Sequence, residues 1–168
     1  MTDISSPPMV VTLGSVTVGL SILTVILIRW WTRDGHRVKA LMPYLGSTLY
    51  GMLLILTGGG LLGGAAGWAL WGTTETGDVA LEHGTGSASP EVTRQYADAL
   101  TPGGNMVVIL CTVALVALLV WGRRPWLHIV LGLLTGISLG LADSLAGFAA
   151  TALAPAANGI GDALGGLL

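Results

Sequence analysis

Two long uncharged runs, separated by a pair of arginines, decide the architecture of this chain. Residues 99–143 read ALTPGGNMVVILCTVALVALLVWGRRPWLHIVLGLLTGISLGLAD. A hydrocarbon core about 30 Å thick needs about 20 mainly apolar residues in each helix that crosses it. The runs on either side of Arg123 and Arg124 reach that length or come close to it. Because a backbone in lipid must satisfy its own hydrogen bonds, both runs are predicted to be membrane-spanning helices.

Two further uncharged runs, 5–28 and 40–74, precede this pair. The sequence therefore predicts an all-α integral membrane protein, folded as one membrane domain in a bundle of four transmembrane helices. The predicted spans are residues 9–30, 45–71, 104–122 and 127–150. The predicted connections are two basic turns, 31–44 and 123–126, an acidic loop, 72–103, and a tail, 151–168.

The composition agrees with a membrane protein and argues against several soluble classes. Hydrophobic residues make up 52% of the chain and charged residues 10%, whereas a soluble domain has about 25% charged residues. The formal net charge of −2 argues against a nucleic-acid partner. Cys111 is the single cysteine, and no His, Cys or acidic cluster has the spacing of metal ligands. We therefore expect no metal and no cofactor.

Basic residues are confined almost entirely to the two predicted turns. The exception, Arg94, shares the loop 72–103 with five acidic residues. The positive-inside rule then places the turns in the cytoplasm and both termini outside. Six Arg to one Lys and the abundance of Gly and Ala are typical of a high-G+C bacterial genome. We therefore expect the protein in a bacterial inner membrane. The basic residues of the turns are also candidate contacts for lipid or for a partner: Arg29, Arg33, Arg37, Lys39, Arg123 and Arg124.

A short amphipathic helix is predicted near the end of the outer loop. The segment Ser89-Pro90-Glu91 is typical of a helix start, with Ser as the N-cap, Pro at the first helical position and an acid in the first turn. Val92, Tyr96 and Leu100 then share one face. We expect this helix to lie on the outer surface or across the mouth of the bundle.

Glycines form a close-packing face on two of the predicted spans. Because Gly has no side chain, two helices can approach backbone to backbone, and such packing drives association in lipid. Packing of the second span against the fourth is one interpretation; packing between subunits and a glycine-lined pore are the alternatives. The candidate packing residues are Gly60, Gly63, Gly64 and Gly67 in the second span and Gly132, Gly136, Gly140 and Gly147 in the fourth.

Asp143 is the one acidic residue inside a predicted span, and it is the candidate intramembrane polar site. At 1.5 Å per residue it lies about 24 Å along the helix from Leu127, in the outer third of the membrane. An acid at that depth can reach water, so a structural role is one interpretation. Handling of ions or protons and binding of a ligand are the alternatives.

The segment Gly136–Gly140 matches the G-x-S-x-G pattern of hydrolases, but that pattern requires a turn between a strand and a helix. Here it lies within a predicted membrane helix, and His128 is about 15 Å from Ser138 along the same helix. We therefore predict no catalytic residue and no enzymatic activity.

These observations predict a non-enzymatic membrane protein. It would act as an oligomeric or accessory subunit of a membrane complex through its glycine faces, with membrane lipid and either itself or a larger membrane protein as partners. The alternative is a small channel, pore-former or proton-coupled transporter that uses Asp143. No inverted repeat of the kind found in many transporters is visible between the two halves of the sequence.

Overall fold

The computed structural model describes residues 10–33, 35, 37–57, 59–92, 100–121, 126–142 and 149–167. Over these residues the chain is helical, with six α-helices and no strand. The helices are α1 (Leu13–Arg33), α2 (Val38–Ile55), α3 (Gly60–Thr85), α4 (Pro102–Trp121), α5 (Trp126–Gly140) and α6 (Ala154–Gly165). A π-helical turn, Ala149–Leu153, directly precedes α6.

Three helices in the described part of the chain are long and apolar enough to cross a membrane. They are α1, α2 and the segment Pro102–Val120 of α4, with hydropathies of 1.8, 1.3 and 2.4. α5 is apolar too, but it is shorter, with 15 residues. The chain is therefore compatible with a multi-pass membrane protein, while the four-span count and the orientation stay predictions.

The region predicted as the second span, 45–71, is divided between two helices. α2 ends at Ile55, and the chain turns before α3 begins at Gly60. Gly60 has a φ of 70°, in the left-handed region that glycine adopts at little cost. The glycine run therefore breaks the apolar segment, and hydropathy alone does not show this.

The region predicted as an outer loop, 72–103, also differs, because α3 continues through Thr85. Gly86, with a φ of 66°, ends that helix in the left-handed conformation common at helix C-termini. The predicted helix start at Ser89-Pro90-Glu91 is not helical. Its backbone pairs with residues 11–13 at the start of α1, where the Leu13 amide donates to the Pro90 carbonyl at 3.0 Å. Residues 93–99, the rest of that predicted helix, lie outside the described residues.

α1, α2, α4 and α5 lie side by side in a bundle, and their termini lie together at its two ends. α2 and α5 run parallel, because Gly132, Gly136 and Gly140 meet successively later residues of α2. α1 runs antiparallel to α2, and the Trp30 Nε1 donates to the Arg37 carbonyl at 3.1 Å where the two are joined. We call this the basic end. The opposite end, where α1 and α4 begin, is called the capped end.

The two halves of the chain repeat one arrangement, with α1, α2 and α3 matched by α4, α5 and α6. At the contact of α2 with α5, a side chain added at Gly51 would meet the Leu133 carbonyl, and one added at Gly136 would meet the Thr48 carbonyl. Leu133 precedes Gly136 by as many positions as Thr48 precedes Gly51, so the contact is reciprocal. Reciprocal contacts of this kind are typical of a two-fold axis. The two halves are therefore related by an approximate two-fold axis that runs along the bundle. Matching helices of the two halves run in the same direction, so this is a parallel and not an inverted repeat.

Candidate functional site

The α5 glycines form a seam against α2, inside the chain. Gly132, Gly136 and Gly140 are buried, and side chains added there would meet atoms of residues 44–55. At Gly132 and Gly136 the nearest of those atoms are backbone carbonyl oxygens. The two backbones therefore touch, which is the close approach that small residues allow in membrane bundles.

The predicted glycine face of the second span does not form one seam. Gly63 and Gly67 are buried on α3, whereas Gly60 and Gly64 have open space where a side chain would be. The buried face of α3 packs on α1 and α5 and, less extensively, on α2. Gly147 lies outside the described residues.

Glycine contacts that the sequence reasoning missed join α1 to α3 at the capped end. Gly14 and Gly77 touch backbone to backbone, so a side chain on Gly77 would collide with the Gly14 carbonyl. Thr12 caps α1, because its Oγ1 accepts from the Ser15 amide at 3.4 Å. The same hydroxyl donates to the Asp78 Oδ1 at 2.6 Å. Asp78 thus lies beside the N-terminus of α1, where the helix dipole favours a negative charge.

Ser89 completes this junction from the segment after α3. Its Oγ accepts a hydrogen bond from the Gly14 amide at 2.9 Å and donates to the Asp78 Oδ1 at 2.5 Å. Ser89 therefore does cap a helix, but that helix is α1 and not one that follows it in sequence. The cap holds residues separated by 75 positions.

The same junction occurs a second time, between α4 and α6. Thr101 caps α4, with its Oγ1 accepting from the Gly104 amide at 3.2 Å. Gly103 touches Gly161, and a side chain on Gly103 would meet the Asp162 carboxylate, as one on Gly14 would meet Asp78. The sequence signal is a Thr-x-Gly at the start of a helix and a later Gly-Asp. It is too short to stand out without the structure.

Hydrogen bonds between side chains tie the helices together within the bundle. The Tyr44 hydroxyl donates to the Thr135 Oγ1 at 3.0 Å and joins α2 to α5. The Tyr50 and Thr112 hydroxyls lie 2.6 Å apart and join α2 to α4. Buried Ser138 donates to the Thr73 Oγ1 of α3 at 3.2 Å. The serine of the G-x-S-x-G segment is therefore part of helix packing.

Some of the charged candidates lie among the described residues and others lie outside them. The described basic residues Arg29, Arg33, Arg37 and Lys39 are all exposed at the basic end. Arg123, Arg124 and Asp143 lie outside the described residues.

Comparisons with protein-family models, with curated proteins and with solved structures found no match. Function is therefore inferred from these contacts and from the surfaces they leave exposed.

Proposed function

We propose that this chain is a non-enzymatic subunit of a bacterial inner-membrane complex and associates with itself or with a larger membrane protein. In this proposal α1, α2, α4 and α5 are its four spans. The basic end faces the cytoplasm, and the capped end and both termini face outward, because cytoplasmic loops retain most Lys and Arg.

The outer surface of α4 is the observation that carries the proposal. Only 17% of its most apolar 18-residue stretch is buried. The side chains of Val113 and Val120 are 62% and 72% exposed. In a membrane this surface is available to lipid and to an apolar helix of another protein. Its other exposed apolar residues are Ile109, Leu110, Val116, Leu118 and Leu119.

The seam between α2 and α5 supports a packing role over a pore. The approximate two-fold axis passes through the contact of Gly51 with Gly136, where the backbones touch and leave no room for a channel. Parallel repeats also occur in some transporters, so the alternative that uses Asp143 is kept as an outcome of the test below.

Association through α4 gives the first prediction. After mild detergent extraction, the protein should run as a complex larger than a single chain of 17.2 kDa. Replacing Val113 and Val120 together by Trp should reduce the complex to one chain, because the larger side chains disturb the exposed surface on which a partner would pack. The fold of the single chain should persist, because no buried residue changes. Size-exclusion chromatography with light scattering measures the mass of the protein component.

The matched control is Val25→Trp, which changes an equally exposed residue of α1, 63% exposed, and should leave the complex intact. A single chain for the wild type would contradict the proposal. So would proton or cation flux in reconstituted vesicles that is lost in Asp143→Asn, and that result would favour the channel or transporter instead.

The orientation gives the second prediction. In a Cys111→Ala background, a cysteine at Ser87 or Gly159, both exposed beside the capped end, should react with an impermeant thiol reagent in whole cells. A cysteine at Asp34 should react only after the cells are lysed. Labelling of the Asp34 site in intact cells would contradict the proposed orientation and favour the opposite one.

A further inference from the structure

An apolar groove opens between α2 and α4 on the half of the bundle nearer the basic end. It encloses about 340 Å³ and is lined by Met42, Gly46 and Tyr50 of α2, by Ala114 and Leu118 of α4, and by Ile129 of α5. The bond between the Tyr50 and Thr112 hydroxyls lies at its inner end. The groove therefore lies between this hydroxyl pair and the basic end, over the first half of α2.

The repeat shows that this groove is a departure from the symmetry of the fold. In the first half, Gly19 of α1 packs closely on Ser138 and Leu139 of α5. Gly14 of α1 corresponds to Gly103 of α4. The residue that follows Gly103 by as many positions as Gly19 follows Gly14 is Val108, and it is buried. Val108 thus carries a buried side chain at the position where glycine lets α1 approach α5 closely. α4 accordingly makes less contact with α2 than α1 makes with α5.

Positive charge lies at the outer end of the groove. Lys39, Pro43, Gly46 and Tyr50 follow one another at i, i+4, i+7 and i+11 and so share one face of α2. Lys39 is exposed, and Arg37 precedes the first turn of α2. The N-terminus of a helix also favours an anion. In the sequence, Asp34 is the one acidic residue between Arg29 and Glu75.

The depth of the groove matches one leaflet of a bilayer. From Lys39 to Tyr50 is about 16 Å along α2 at 1.5 Å per residue, and half of a hydrocarbon core about 30 Å thick is about 15 Å. The groove volume of about 340 Å³ is small beside a transmembrane helix about 10 Å wide with its side chains, whereas a single acyl chain is thin enough to enter it.

We propose that the groove is a binding site for an anionic phospholipid, with an acyl chain between α2 and α4 and the phosphate at Lys39 beside the first turn of α2. The inference rests on the part of the proposed function in which α2 and α4 cross the membrane. It does not depend on whether the chain forms a complex. Burial of apolar surface holds the acyl chain, and the positive charge of Lys39 selects an anionic head group over a zwitterionic one.

Lipid retention by the purified full-length protein tests the site. The protein is exchanged into detergent with phosphatidylglycerol or phosphatidylcholine of identical acyl chains, and bound lipid is counted by native mass spectrometry. The wild type should retain more phosphatidylglycerol than phosphatidylcholine. Lys39→Gln should lower that preference about fivefold. Gly46→Leu should lower retention of both lipids, because Gly46 lines the groove and a Cβ added there meets open space.

Two controls make the result decisive. Arg29→Gln removes an exposed positive charge from α1, away from the groove, and Gly64→Leu adds the same side chain at an open position on α3. Both should retain lipid as the wild type does. Equal loss in Arg29→Gln, unchanged retention in Gly46→Leu, or a co-purifying protein that Gly46→Leu displaces would each overturn the proposal. The mass of the protein component in the same spectra reports association separately, so failure of the two proposals can be told apart.

Discussion

Gly136→Leu is expected to cause the largest loss of folded protein of any single change in the bundle. The new Cβ would lie against the Thr48 carbonyl and the Cα of Gly51, and both of these are backbone atoms. Overpacking a filled core costs about 1–3 kcal/mol when side chains can rotate away, and occasionally more. Here no rotation relieves the collision, so α5 must separate from α2 along the seam. We expect a cost at or above the upper end of that range.

The measurement is the midpoint of thermal unfolding in detergent, together with the amount of protein in the membrane. Gly64→Leu is the matched control, because it makes the same substitution where nothing lies within 4 Å. It should unfold near the wild-type temperature. If the two variants were equally destabilised, the seam would not be the cause.

Gly77→Leu should be nearly as damaging, through the junction of α1 with α3. Its side chain would collide with the Gly14 carbonyl, and moving α3 away would also separate Thr12 from Asp78. A cap of this kind contributes about 1 kcal/mol in addition to the packing. Gly161→Leu should have a similar effect, because Gly161 meets Gly103 in the same way at the second junction.

Unfolding midpoints again provide the measurement, and Gly72→Leu is the control on the same helix, since its added side chain would point into open space. The equivalence of the two junctions is itself under test. A large effect at Gly77 with none at Gly161 would mean that the second half of the chain is held together differently from the first.

The glycine pattern shows how far sequence reasoning reached. The periodicity of Gly132, Gly136 and Gly140 on a helix is visible in the sequence, because it depends only on the rise and turn of that helix. The partner of each glycine is not visible. The structure pairs Gly136 with Gly51, which the sequence analysis did not single out, because contact between them depends on how two whole helices cross.

At the capped end, local spacing in the sequence predicts the wrong partner for a polar residue. Local spacing predicts that Ser89 caps the helix after it, because spacing along the chain is the evidence that a sequence offers. In the structure its hydroxyl caps α1, across 75 positions of the chain, and also contacts Asp78. In the sequence Asp78 is one of several acids in a predicted loop, and its place on α3 follows from a helix that continues past the membrane-length run.

The sequence by itself determined that the chain is helical and rich in membrane-length apolar segments, because hydropathy over about 20 consecutive residues is a local property. It also determined where positive charge collects along the chain. Only the tertiary structure decided that the apolar run after Lys39 breaks at Gly60, that Gly-Asp pairs meet the starts of α1 and α4, and that α4 stands away from α2. These features depend on contacts between residues far apart in the chain, and such contacts form only when whole helix surfaces pack together.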